Sequence, residues 1–173
     1  MVAGDRLRLR SWATLVCMLA MATLARSQTL PNGCTDISAV PPIYSGIQYG
    51  AAIQGLFNNF GVAACTDCHE PPTPPQDLDL SAGISWGELV NHLSSQDIDL
   101  FRVVPNHPEQ SLLFQKINCD APAIGARMPY GYPSDTLSAE QQALIYDWIA
   151  EGAPAGTTDG VFRNGFDLRG FAQ

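Results

Sequence analysis

Positive charge is scarce in this 173-residue sequence: nine Lys and Arg stand against seventeen Asp and Glu, for a net charge of −8. Four of the cations and one of the acids fall within residues 1–27, so residues 28–173 hold five cations against sixteen acids, a net charge of −11. A nucleic-acid binder neutralises phosphates with Lys and Arg, and a chain this acidic is excluded from that class. The balance suits solubility, or docking to a protein partner with a basic face. Long apolar runs are also missing. The uncharged stretch from Trp12 to Ala25 is shorter than the roughly 20 residues of a membrane span, and nothing after it resembles a second one. Histidine is scarce, with His69, His92 and His107 the whole supply, and no acid–base or nucleophilic triad can be assembled. Internal repeats and strand-like alternation are absent as well.

What is present begins with an address. Arg6, Arg8 and Arg10 form a basic head, Trp12 to Ala25 an uncharged centre, and Ala25-Arg26-Ser27 a small-residue cleavage site. Residues 1–27 therefore read as a signal peptide cut after Ser27, with a retained N-terminal anchor as the weaker alternative, and the expected location is periplasmic or secreted. Val16 before Cys17 is unsuited to lipoprotein processing, and the arginines alternate with leucines instead of pairing as a twin-arginine signal. The remaining 146 residues suffice for one domain with a modest core.

Cysteine arithmetic follows from that address. Cys17 leaves with the leader, and Cys65 and Cys68 belong to one motif. Cys34 and Cys119 remain, and in an oxidising compartment they are expected to form a disulfide.

Along the rest of the chain, residues 28–46 are rich in Pro, Gly and Thr and read as an extended lead-in. Ile47, Ala51, Ile53 to Phe57 and Phe60 can share a helical face, weakened by Gly50, Gly55 and Gly61. Pro71-Pro72-Thr73-Pro74-Pro75 excludes an α-helix. Trp86 to Leu93 has helical spacing, with Ser85 as its cap and His92 inside it. Asn106-His107-Pro108 reads as a turn into a helix in which Leu112, Leu113, Lys116 and Ile117 recur at three- and four-residue spacing. The clearest helix runs from Ala139 to Glu151, capped by Ser138 with Gln141 as the return partner. Leu144, Ile145, Trp148 and Ile149 are its apolar stripe, Glu140, Gln141, Gln142 and Asp147 its water-facing side, and Gly152 and Pro154 its stop. The expected class is all-α, small and loop-rich. Its core is thin for its length, which a large apolar cofactor at the centre would explain.

The chemistry rests on Cys65-Thr66-Asp67-Cys68-His69, the attachment pattern of haem c. Thiols three positions apart on a helical turn face one side and can reach the two vinyl groups of one porphyrin. His69 then brings an imidazole nitrogen to the iron. An exported chain also suits haem attachment, which in bacteria takes place outside the cytoplasm. The competing uses of the motif are narrower. Zinc would draw Cys65, Cys68 and His69 together with Cys34 or Cys119, and a redox dithiol would want a βαβ setting, which the pattern lacks. For the second axial position the candidate is Met128, the only methionine after residue 27, in the Gly/Pro-rich segment Gly125-Ala126-Arg127-Met128-Pro129. A thioether there favours ferrous iron and raises the reduction potential. His92 is the alternative, and His107 in its polar turn is expected to be solvated.

At these residues the sequence resembles bacterial monohaem c-type cytochromes, and among them the planctomycete-type cytochrome c-like domain. The likeness runs through the Cys65–His69 motif, Leu78-Asp79-Leu80-Ser81, Arg102-Val103-Val104-Pro105 with Pro108, Ser111-Leu112-Leu113, Lys116-Ile117, Arg127-Met128-Pro129, Leu137-Ser138-Ala139-Glu140-Gln141 and Trp148-Ile149 with Gly152-Ala153. It covers residues 47–154. The resemblance implies a class I cytochrome c-like helical fold around one covalent haem, with His69 as proximal and Met128 as distal ligand. It also implies that the Trp148 helix packs on the attachment helix. The prolines after Glu70 depart from the family pattern, and Pro71 or Pro72 would supply the carbonyl that orients the His69 ring. Residues 155–173 form a tail in which Val161-Phe162-Arg163-Asn164-Gly165-Phe166-Asp167 is similar to an aromatic–glycine motif near the C-termini of some exported bacterial proteins. A strand-like tail covering apolar surface and a sorting or docking role stand as equal expectations for it.

The expected function is single-electron transfer to and from a redox partner protein, by a carrier and not a turnover enzyme. Two alternatives stand beside it: a haem-based sensor or scavenger of small ligands with a labile sixth position, and a zinc-binding structural domain.

Overall fold

The structure, a computed structural model, describes residues 30, 32–38, 40, 44–59, 64–131 and 136–156. The leader with its cut after Ser27, Phe60, Gly61 and the aromatic–glycine tail lie outside the described residues. Among those described, the architecture is helical: α1 (Gln54–Asn58), α2 (Ser85–Leu89), α3 (Leu112–Asn118) and α4 (Ala139–Ala150), with no strand. A π-helical turn at Tyr49–Ile53 leads into α1, and single 3-10 turns occur at Cys65–Asp67, Pro75–Asp77 and Pro108–Gln110. The only sheet-like pairings among these residues are three isolated bridges, Cys34 with Cys119, Val90 with Val103, and Leu93 with Phe101.

Helix α4 forms where its caps place it. The Ser138 hydroxyl accepts from the Gln141 amide at 3.2 Å, and the Gln141 side chain accepts from the Ser138 amide at 2.8 Å. That reciprocal pair satisfies two donors that a helix start leaves open. At the other end Gly152 takes φ +95°, its amide donates to Ile149 O, and the Ala153 amide donates to Trp148 O. This is the left-handed exit in which glycine meets no Cβ penalty. The apolar stripe is buried as its spacing requires, with Ile145, Trp148 and Ile149 fully inside. Trp148 lies 5.1 Å from the Tyr49 ring, centroid to centroid, and donates from Nε1 to Pro154 O.

The segment before the π-turn is tied to α4 by carboxylates. Asp147 accepts from the Tyr44 amide at 2.8 Å, and Glu151 accepts from the amides of Gly46 and Ile47. Each of these bonds has a charged acceptor, the stronger kind. Helix α4 thereby packs against the Tyr49–Ile53 turn and against α3, and the core forms between them.

Four local expectations change. The wide π-turn shifts the register ahead of α1, so Ala52 is buried and Ala51 exposed, the reverse of a regular 3.6-residue spacing from Ile47. Helix α2 stops at Leu89 and does not continue to Leu93: Val90 takes extended backbone, and Val90 and Leu93 form isolated bridges with Val103 and Phe101. Ser85 is no cap: it lies inside α2, fully buried, donating to Gln54 Oε1 and accepting from Tyr49 Oη at 2.7 Å. Gln142 is no water-facing residue either. It is 1 % exposed and joins Asn118 Nδ2 to Leu137 O across the α3–α4 contact.

Candidate functional site

The Cys65-Thr66-Asp67-Cys68-His69 motif folds as one tight 3-10 turn. The Asp67 carboxylate accepts from the Ala64 amide at 2.9 Å, and the amides of Cys68 and His69 both donate to Cys65 O. That winding brings Cys65, Cys68 and His69 onto the wall of a single cavity of about 430 Å³, within the roughly 300–1,000 Å³ of small-molecule and cofactor sites. Most of the remaining wall is aliphatic, with Leu80 before α2, Leu89 at its end, Leu112 and Ile117 from α3, and Ile145 from α4. Met128 and Pro129 line the same space. Residues 63 positions apart in sequence, Cys65 and Met128, thus share one apolar cavity.

His69 is held by its backbone and its ring. Its carbonyl accepts from the Leu80 amide at 2.8 Å, and its Nδ1 meets the Leu78 carbonyl at 3.2 Å. The Leu78 carbonyl, not that of Pro71 or Pro72, therefore orients the imidazole. The proline segment instead delivers Pro75, Gln76 and Leu78 to the cavity wall. With Nδ1 engaged, Nε2 is the nitrogen left to bind a metal. Burial holds the ring below its ordinary pKa, so it stays neutral, as a ligand must.

Cys65 and Cys68 are both unbonded; Cys65 is half-buried and Cys68 exposed. Burial pushes the Cys65 thiol up to about 11. A redox-active dithiol needs the opposite, a lowered pKa and a ready thiolate. The zinc alternative also loses its fourth ligand, because Cys34 and Cys119 stand at disulfide distance and are spent on each other. Among the described residues no group of three or more His, Cys, Asp and Glu side chains is gathered to hold a metal ion.

Met128 is placed by its surroundings. Its amide donates to Lys116 O at 2.7 Å. Neighbouring Arg127 reaches Asp120 at 2.7 Å and donates to Thr35 Oγ1 and Ile117 O. The Met128 segment is thus fastened to the end of α3 and to the strand-like lead-in beside the disulfide. His92 is not brought to the cavity. It is exposed in the loop after α2, with Nδ1 3.3 Å from Gly87 O and 4.0 Å from Glu88. His107 is exposed in its turn, as expected.

Two cations of the cavity wall were not singled out from sequence. Arg102, 5 % exposed, bonds Glu88 Oε2 at 2.7 Å together with the carbonyls of Glu88, Gln76 and Asp77. It clamps the proline segment to α2, with its charge matched by Glu88. Lys116, 7 % exposed, also lines the cavity. Its signal was visible: a lysine standing on the apolar face of a short helix.

Comparison with protein-family models, with curated proteins and with solved structures finds no match to this chain. No helix among the described residues is long and apolar enough to cross a membrane.

Proposed function

We propose that this chain is an exported monohaem c-type cytochrome, akin to the planctomycete-type domain, that carries single electrons to and from a redox partner. The observation that carries the proposal is the composition of one apolar cavity of about 430 Å³, which collects both motif thiols, the His69 imidazole and the only methionine after residue 27. That donor set, two thiols for vinyl groups and an N/S pair for iron, fits haem c and fits little else.

In this role Cys65 and Cys68 hold the porphyrin by thioether bonds, and the Leu78 carbonyl fixes the His69 ring so that Nε2 serves as the proximal donor. Met128 supplies the sulfur of the sixth position, a soft donor that favours the ferrous state. The aliphatic wall keeps water out, which raises the potential further. When bound, haem supplies a one-electron couple that no side chain of this chain can provide. The class I cytochrome c-like fold and the location outside the cytoplasm belong to the same proposal, as does the absence of a turnover reaction.

The test is expression of the full chain with haem-maturation machinery, followed by intact mass and an absorption spectrum. The expected product exceeds the bare polypeptide by one haem and keeps its colour after acid extraction. Cys65→Ala with Cys68→Ala loses both. A wild-type product at the polypeptide mass, in a host that matures other c-type cytochromes, refutes the proposal. Ready binding of carbon monoxide by the reduced protein at neutral pH would instead favour the small-ligand sensor or scavenger.

A further inference from the structure

Lys116 poses a problem that the electron-transfer proposal leaves unanswered. Its side chain is more than nine-tenths buried, on the wall of the cavity, and its Nζ has no hydrogen-bond partner. A buried ammonium without a partner is costly, and native interiors rarely keep one. Among the described residues no salt bridge engages Lys116: Glu88 pairs with Arg102, and Asp120 with Arg127. Gly125 closes over the ammonium so tightly that a Cβ there would stand 2.6 Å from Nζ, and its φ of +68° already calls for glycine. The cation is therefore enclosed beside Gly125, on a residue of a wall that is otherwise largely aliphatic.

We infer that Lys116 is the binding cation for a carboxylate of the cavity's ligand, which on the haem proposal is a propionate of the porphyrin. The inference rests on that proposal and adds to it the residue that answers the ring's negative charge. An ammonium–carboxylate pair shielded from water satisfies Nζ and the propionate together. Arg102, by contrast, already has its charge matched by Glu88 and both terminal nitrogens engaged.

The experiment uses the matured full chain, with intact mass checked first. A wild-type chain without haem overturns both the proposal and the inference. With haem attached, Lys116→Leu should lower the midpoint potential, because a charge that favours the ferrous form is gone. It should also make the potential depend on pH in the weakly acidic range, where an unpaired propionate ionises. Lys116→Arg should restore the potential and its flat pH profile, which a merely structural role would not do. Haem-loaded Lys116→Leu with the wild-type potential and profile overturns the inference alone. A crystal structure of the haem-loaded wild type decides the matter if Lys116→Leu fails to fold. Nζ within about 2.9 Å of a propionate oxygen upholds the pairing, and Nζ bound to the iron or turned to solvent overturns it.

Discussion

Removing the Cys34–Cys119 link, by Cys34→Ala with Cys119→Ala, is expected to destabilise the protein heavily while leaving its native contacts nearly intact. The two cysteines are 85 residues apart in sequence. In the chain-entropy model a closed loop of that length lowers the entropy of the unfolded state enough to stabilise the fold by about 4.5 kcal/mol. A domain of this size has roughly 5–15 kcal/mol in total, so the loss is about three-tenths of it or more. The melting temperature should fall by on the order of 10–20 °C. The native side changes little, because the junction has its own bonds: Thr35 N to Asn118 O at 3.0 Å, Asp120 N to Gly33 O at 2.9 Å, and Asn118 Nδ2 to Thr35 O at 2.9 Å.

Urea unfolding of wild type and variant measures the effect. The midpoint should drop, and the slope should rise, because the unlinked unfolded chain exposes more surface. A thiol assay of unfolded wild type should find Cys34 and Cys119 unreactive until reductant is added. The Met128 segment is fastened to Thr35 and Ile117 through Arg127 and not through the disulfide, so on the haem proposal the folded variant should keep the sulfur-to-iron absorption band of the oxidised protein. A stability loss below about 1 kcal/mol would refute the reasoning, since the loop term alone is several times larger.

Other substitutions probe separate links. Met128→Ala should abolish the sulfur-to-iron band and lower the midpoint potential, read by absorption and redox titration; absence of that band from wild type would remove Met128 from the sixth position. Gln142→Ala should cost about 3 kcal/mol in urea unfolding, because it strips partners from buried Asn118 Nδ2 and Leu137 O. Asp147 has its pKa raised, by burial first and by Glu151 also. Its native form therefore binds a proton more tightly than the unfolded chain. The stability this contributes is full below the unfolded value and is lost as pH rises through the folded one. Asp147→Asn keeps an oxygen for the Tyr44 amide, and should flatten the dependence of the urea midpoint on pH across the carboxylate range. An unchanged pH dependence would show that Asp147 is not its source.

Helices α3 and α4 were legible because their signals are local. Ser138 and Gln141 complete a cap within one turn, Gly152 ends a helix by its own φ, and the spacing of Leu144, Ile145, Trp148 and Ile149 names the buried face without reference to any partner. The disulfide was legible by elimination, since Cys34 and Cys119 were the two cysteines with no other assignment. Around residues 49–53 and 85–93 the same spacing misled. There the turn widens or breaks to satisfy distant groups, Gln54 and Tyr49 on Ser85 in one case and Val103 and Phe101 in the other.

By itself the sequence determined the donor chemistry of Cys65, Cys68, His69 and Met128 and the two helices that back it, because residue type and short spacing are properties of the chain alone. The tertiary structure decided what those donors meet. It sent His92 out to solvent, gave His69 the Leu78 carbonyl, matched Arg102 with Glu88, and left the Lys116 ammonium in an apolar wall with no partner. Each of these outcomes depends on segments far apart in sequence meeting at one cavity, and no local pattern carries that distance.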